Sequence, residues 1–413
     1  MELASGLLKM AGLVALIWLC GENRRQISAR QVFVGLGLQF GLALLLKAPM
    51  FKDAMLGLNA LVTALQEATN AGTGFVFGYL GGAALPFGES FPGASFILAF
   101  KALPLILVIS ALSALLYYWR IIPVLVRAFS FCLEKTMNVG GALGISVSAN
   151  IFVGMIEAPL FIRPYLARMT RSELFTLMTS GMATIAGTML VLYASILESV
   201  VPGALGHILV ASIISAPAAI MVSRMMIPET GPLTVGRVQP PQTALSSMDA
   251  VVKGTSDGVA LLINVTAMLV VFVALVALAN RLLAGLPVLG GEPLTLQRVL
   301  GWAMAPLVWL TGVPWTEARP AGSLMGTKVV LNELVAYLDM AHLPAEALSP
   351  RSRMIMTYAM CGFANLGSLG IMVGGIGAMI PERRDEIVAL GPRSIVAGVF
   401  ATLLTGAVVG ILY

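Results

Sequence analysis

The chain has 413 residues, 58% of them hydrophobic and 11% charged, where ordinary soluble domains carry roughly a quarter charged residues. Water is therefore not its main solvent. The net charge of +5 comes without a basic stripe interleaved with aromatic residues, which argues against a nucleic-acid partner.

Apolar stretches of about twenty residues recur along the chain, enough to cross a hydrocarbon core about 30 Å thick as helices. The first covers 4–20. It begins with Glu2 in place of a basic cluster, and no A-x-A-like site follows, so it reads as a retained helix and not a signal peptide. Cys20 invites a lipoprotein reading, but Trp18 and Leu19 before it are too large for that processing site. Further stretches cover 31–49 and 94–118. Between them, 51–70 sets apolar residues at helical spacing among several polar ones, the pattern of a helix lying along the membrane interface.

The region 138–168 is long enough to enter and return, and it breaks around Val153-Gly154 and Pro159. It reads as a re-entrant hairpin; the alternative is an ordinary helix pair with a tight turn. Spans at 174–198 and 204–224 follow. The first has a weak point at Ala183-Thr184-Ile185-Ala186-Gly187-Thr188. Residues 226–256, with Pro228, Pro232, Pro240 and Pro241, read as the longest cytoplasmic connection. After a span at 258–280, the region 297–340 repeats the hairpin pattern, with breaks around Gly312-Val313-Pro314-Trp315 and near Pro320-Ala321-Gly322. Its following span, 352–380, has a weak point at Phe363-Ala364-Asn365-Leu366-Gly367-Ser368, and 391–413 closes the chain. Non-helical backbone at membrane depth survives only where protein or a water-filled cavity satisfies it. The two halves therefore point to an inverted repeat around a binding cavity, as in secondary transporters.

Lys and Arg concentrate on one side of these spans, among them Arg24, Arg25, Arg120, Arg171, Arg224, Arg383 and Arg393. By the positive-inside rule that side is cytoplasmic, and both termini face the periplasm or exterior. Cys20, Cys132 and Cys361 lie in or beside apolar segments at no metal-ligand spacing, and read as packing residues.

A charged side chain at the membrane centre costs roughly 2.5–3.5 kcal/mol on insertion scales. Glu157 and Glu333 each sit just past an expected break. A carboxylate can accept two hydrogen bonds from adjacent hydroxyls, as a sugar diol offers; the bland alternative is an internal ion pair, such as Glu333 with Lys328. Asn365 and Ser368 share one helix face, either to bind a ligand or to join two helices. Asn150 and Thr184 supply neutral oxygens beside breaks, where freed carbonyls could complete a cation site. No nucleophile with a base, Walker loop or zinc pattern is present, and Lys328 in its GTK triplet lacks P-loop glycine spacing, so an enzyme is not expected.

The run Gly326-x-Lys328-x-x-x-Asn332-Glu333-Leu334-Val335-Ala336-Tyr337 resembles the signature of the concentrative nucleoside transporter family. Gly72-Thr73-Gly74-Phe75-Val76-Phe77-Gly78, Glu157-Ala158-Pro159-Leu160 and Cys361-Gly362-Phe363-Ala364-Asn365 resemble its other blocks in the same order, in the short form typical of bacterial members. The resemblance implies an all-α polytopic membrane protein of about eight transmembrane helices with two opposed re-entrant hairpins and interfacial helices, in an inverted repeat. It implies a homotrimer in the bacterial inner membrane that imports nucleosides with sodium by an elevator motion; proton coupling is the rival, and a passive channel or an intramembrane enzyme are the more distant alternatives.

The chain divides accordingly into 1–137 (scaffold and interfacial helices), 138–224 (first half of a transport domain), 225–296 (connection and scaffold helix) and 297–413 (second half). Carried over by motif, Gly154, Met155, Ile156, Glu157, Met189, Glu333, Phe363, Asn365 and Ser368 would surround the nucleoside. Glu333, Asn365 and Ser368 would hold the ribose, while the first hairpin and Phe363 face the base. Sodium would lie on the side chains of Asn150 and Thr184 and the carbonyls of Val153 and Ile185; no other cofactor is implied. Many members carry Gln and Ser or Thr where this chain has Met155 and Ile156, which leaves purine or pyrimidine preference open.

Overall fold

The computed structural model describes residues 2–47, 49–88, 95–234, 244–287 and 293–413, and the described residues form helices without a strand. In hydrocarbon the backbone must satisfy its own polar groups, and the helix does so within one segment.

The chain opens with α1 (Glu2–Leu19), α2 (Ala29–Lys47) and α3 (Pro49–Phe77). The helix expected over 51–70 thus lies inside a longer one, and the side chains of 51–56, on which its interfacial placement rests, lie outside the described residues. The Gly72–Gly78 block makes the exit from α3. Thr73 Oγ1 donates to Gly81 O at 2.6 Å, and Gly82, at φ 109°, turns the chain in the left-handed region open to glycine.

The first half runs through α4 (Leu98–Lys101), α5 (Leu105–Tyr118), α6 (Ile121–Met137), α7 (Gly141–Asn150), α8 (Glu157–Phe161) and α9 (Arg163–Leu166). It ends with α10 (Arg171–Ala183), α11 (Gly187–Leu197) and α12 (Ala204–Met226). The second runs through α13 (Ser247–Leu283), α14 (Leu296–Leu310), α15 (Ala318–Val330) and α16 (Glu333–His342), then α17 (Pro350–Met360), α18 (Leu366–Met379) and α19 (Arg384–Leu412). Each half contains two places where a helix stops and restarts: α7/α8 and α10/α11 in the first, α15/α16 and α17/α18 in the second.

Three expectations change. The connection expected at 226–256 is shorter, because Ser246 accepts from the Asp249 amide at 3.1 Å and starts α13 at Ser247. No break occurs at Pro320-Ala321-Gly322. Pro320 is the third residue of α15, where its missing N–H has no intrahelical role, and Gly322 serves close packing, since a Cβ there would lie 2.6 Å from Gly301 O. The break after Gly312 stands, but the one inside the signature falls at Leu331-Asn332. Among the cysteines only Cys361 is buried; Cys20 and Cys132 are exposed, so packing does not explain them.

Among the described residues, five helical stretches are long and apolar enough to cross a membrane: Leu98–Tyr118, Arg171–Leu197, Ala204–Met226, Ser247–Leu283 and Pro381–Leu412. Leu3–Leu19, Ala29–Leu45 and Leu366–Met379 are shorter apolar helices. α10, α12, α17 and α19 pack together at the centre. In contrast α13, with its apolar side chains exposed, packs lengthwise on α5. Only lipid or another apolar surface is a fitting solvent for that face, and at about 1.5 Å per residue the helix extends about 56 Å.

Candidate functional site

The site is assembled where helices stop. Gly154, at φ 128°, carries the chain through the gap between α7 and α8. A Cβ there would lie 2.7 Å from Glu157 Oε2, so the carboxylate can fold back over the turn only because the residue is glycine. The Gly187 amide donates to Phe152 O at 3.1 Å, tying this gap to the one between α10 and α11. The Phe363 amide donates to Thr184 O at 3.2 Å, tying that gap in turn to the one between α17 and α18. Gly362 allows this crossing, since its Cβ would lie 2.9 Å from backbone atoms of Met182 and Ala183. Backbone groups released by one break thus satisfy those released by another, which is how unwound segments survive away from water.

Glu157 and Glu333 are the first residues of α8 and α16, where a helix dipole favours negative charge. Glu333 is buried and clamped. Tyr193 donates to its Oε1 at 2.6 Å and Asn365 Nδ2 to its Oε2 at 3.0 Å. Asn365 Oδ1 accepts from the Ser368 amide at 2.7 Å and so caps α18, which locks the amide's orientation. Tyr193 and Asn365 use two of a carboxylate's about four lone-pair positions, so acceptor capacity remains for a ligand's hydroxyl. The ion pair considered for Glu333 and Lys328 is absent: Lys328 Nζ donates to Ala359 O at 3.2 Å and Thr402 Oγ1 at 3.0 Å. Glu157 opens to the cavity.

These groups line a cavity of about 320 Å³, within the range of about 300–1,000 Å³ usual for small-molecule sites. Gly154, Met155, Ile156, Glu157, Met189, Glu333, Phe363, Asn365 and Ser368 all border it. Met155 and Ile156 pack closely against glycines: a Cβ on Gly181 would meet Met155 at 2.9 Å, and one on Gly375 would meet Ile156 at 2.4 Å. Of the expected cation ligands, Val153 also borders the cavity, while Asn150 and Thr184 lie buried behind it and Ile185 beside them. Asn150 Nδ2 donates to Ser180 Oγ at 3.3 Å, but its buried Oδ1 has no partner. Thr184 Oγ1 donates to Ser180 O at 2.9 Å and keeps its lone pairs. An unpaired buried amide oxygen is an acceptor that a hard cation could satisfy. No cluster of His, Cys, Asp and Glu suited to a metal occurs among the described residues.

Sequence reasoning did not single out Tyr193, Thr188 or one face of α13: Leu261, Asn264, Val265, Met268 and Phe272. Their spacing is helical, and Asn264 in a long apolar helix was the available signal. Asn332 was quoted only inside the signature. It borders the cavity and caps α16, accepting from the Val335 amide at 2.9 Å.

Comparison with known proteins accords with this geometry. A family model described as Na+ dependent nucleoside transporter C-terminus matches residues 207–410, its N-terminal counterpart matches 8–80, and a nucleoside recognition model matches 99–200. The chain is 33% identical to the nucleoside permease NupC of Helicobacter pylori, covering 97% of this chain and 96% of that protein. It is 37% identical to an uncharacterized transporter of Haemophilus influenzae, over 100% of this chain and 98% of the other. The rat sodium/nucleoside cotransporter 2 is 31% identical over 98% of this chain but only 63% of its own length. Among solved structures, CNTnw in an inward-facing substrate-bound state superposes with a TM-score of 0.91 at 37% identity, covering 100% of this chain and 99% of that one. Structures of substituted CNTnw variants in an outward-facing state and in an intermediate state match with TM-scores of 0.89 and 0.91.

Proposed function

The chain belongs to the concentrative, Na+-dependent nucleoside transporter family, and from that premise we propose that it imports nucleosides by sodium symport. The observation that carries the reading is Glu333, a buried carboxylate held by Tyr193 and Asn365 at the wall of the cavity with acceptor capacity to spare. Adjacent ribose hydroxyls are the complement of that arrangement. In this reading Glu333, Asn365 and Ser368 hold the ribose. Gly154, Met155, Ile156, Glu157, Met189 and Phe363 surround the base, with apolar contacts dominating on the first hairpin.

Sodium binds on Asn150 and Thr184 side chains with the carbonyls of Val153 and Ile185. Support comes from the unpaired Asn150 Oδ1, which would otherwise be a buried polar group without compensation. The cation also lies against the break that carries Gly154, so filling it orders the wall of the substrate cavity. One sodium ion moving down a tenfold gradient and about 100 mV supplies roughly 1.4 plus 2.3 kcal/mol, enough to concentrate a neutral nucleoside several-hundred-fold.

Residues 138–224 and 297–413 form the moving body, with two re-entrant hairpins and two unwound helices. Residues 1–137 and 225–296 form the scaffold, so the cavity face of α13 stays behind as the body moves like an elevator. Eight membrane-crossing segments, interfacial helices, an inverted repeat, a homotrimer and external termini in a bacterial inner membrane complete the reading. The orientation is supported by the joining of Arg171 and Arg393 to Glu22 at one end of the bundle, where the basic residues gather. Uptake of labelled uridine and adenosine into proteoliposomes, with sodium or proton gradients, tests it. Accumulation driven by sodium is expected; accumulation driven equally by protons alone would replace the coupling ion.

A further inference from the structure

We propose that Lys328 is a built-in cation that takes, in the second half of the chain, the place the coupling ion takes in the first. The inference rests on the sodium reading of the Asn150 site.

The two halves place matching helix ends against each other. In the first, α7 ends at Asn150, whose side chain reaches Ser180 in the last turn of α10. Its remaining oxygen is buried and unpaired. In the second, α15 ends at Val330, and Lys328 in its last turn reaches Ala359 in the last turn of α17. Helix ends of this kind present unsatisfied carbonyls and the negative pole of the dipole, so two of them meeting favour a positive charge between them. Each half solves the same electrostatic problem. One offers an empty acceptor to an ion; the other supplies an ammonium on a tether.

Details of the break support the parallel. The Phe363 amide would ordinarily bond Ala359 O, four residues back, but it donates instead to Thr184 O. That diversion frees the Ala359 carbonyl, and Lys328 Nζ takes it up at 3.2 Å, with Thr402 Oγ1 of α19 at 3.0 Å. Lys328 is fully buried, and no carboxylate lies within ion-pair distance of it among the described residues. A buried ammonium with only neutral oxygens around it is costly unless fixed dipoles hold it. The arrangement is that of an ion site, with Glu333 five residues on as the nearby negative charge acting through space. The transporter therefore needs one mobile cation per nucleoside, because the second is covalently retained through the cycle.

The test is uridine uptake into proteoliposomes as a function of sodium, with thermal unfolding of each purified variant. Wild type should show sodium dependence with a Hill coefficient of about 1. Lys328→Met keeps the volume without the charge and should lose at least about tenfold in uptake, because the freed carbonyls face no cation. Lys328→Ala leaves room for a small ion. Its uptake should recover with ammonium or methylammonium, or with high sodium at a Hill coefficient approaching about 2. A Met variant that transports like wild type with one ion overturns the inference. So does an Ala variant that unfolds at or near the wild-type temperature and that no small cation restores; if Ala does not fold, the Met variant decides. Wild-type uptake independent of sodium would instead refute the underlying sodium reading, which keeps the two failures distinct.

Discussion

Asn365 performs two tasks that two substitutions separate. Its Oδ1 caps α18 through the Ser368 amide at 2.7 Å, and its Nδ2 donates to Glu333 at 3.0 Å. Asn365→Ala removes both. Loss of the cap costs about 1 kcal/mol, and loss of a hydrogen bond to a charged group about 1.5–3 kcal/mol, so the folded protein should lose roughly 2.5–4 kcal/mol. Asn365→Asp keeps a capping oxygen but replaces the donor facing Glu333 by a second negative charge. Its cap should survive while nucleoside binding weakens by about a hundredfold, or about 2.7 kcal/mol. Uridine binding by isothermal calorimetry and thermal unfolding in detergent read the two effects independently. If Asn365→Asp binds uridine as wild type does, or Asn365→Ala unfolds at the wild-type temperature, the linkage between Glu333 and the α18 cap is wrong.

Three other substitutions probe the breaks. Gly154→Ala puts a Cβ 2.7 Å from Glu157 Oε2 at a φ of 128°; uptake should fall at least about tenfold while the protein still folds, since the strain is local. Gly362→Ala drives a Cβ to 2.9 Å from the Met182 and Ala183 backbone, which cannot yield as a flexible side chain would. A stability loss of about 1–3 kcal/mol, seen as a lowered unfolding temperature, is expected. Asn150→Ala should raise the sodium concentration for half-maximal uptake by about tenfold, equivalent to about 1.4 kcal/mol, yet leave uridine uptake near wild type at saturating sodium.

Much of this architecture was legible because the membrane makes exceptions conspicuous. Gly187 and Gly362 sit in apolar runs with small neighbours, and both proved to be crossing points of unwound backbone. Glu157 and Glu333 stood out as charges in segments that should carry none, and both begin helices at the cavity wall. Other features were hidden because the same residue type serves opposite ends. Gly322 looked like a break and is a packing contact with α14, while Leu331-Asn332, with no Gly or Pro, is a real one, started anew by the Asn332 cap. Tyr193 could not be assigned to Glu333 from the sequence, since 140 residues separate them and only the fold brings them to 2.6 Å. Lys328 pointed to Glu333 by proximity along the chain, but the carbonyl freed at Ala359 holds it.

The central claim is that Glu333 binds the ribose of a nucleoside whose entry is driven by sodium. Uptake of uridine and 2′,3′-dideoxyuridine by wild type and Glu333→Gln, under an inward sodium gradient, tests it most directly. Wild type should accumulate uridine and discriminate strongly against the analogue lacking both hydroxyls, and Glu333→Gln should lose uridine uptake by about a hundredfold or more. Equal uptake of the two compounds by wild type, or undiminished uridine uptake by Glu333→Gln, would contradict it.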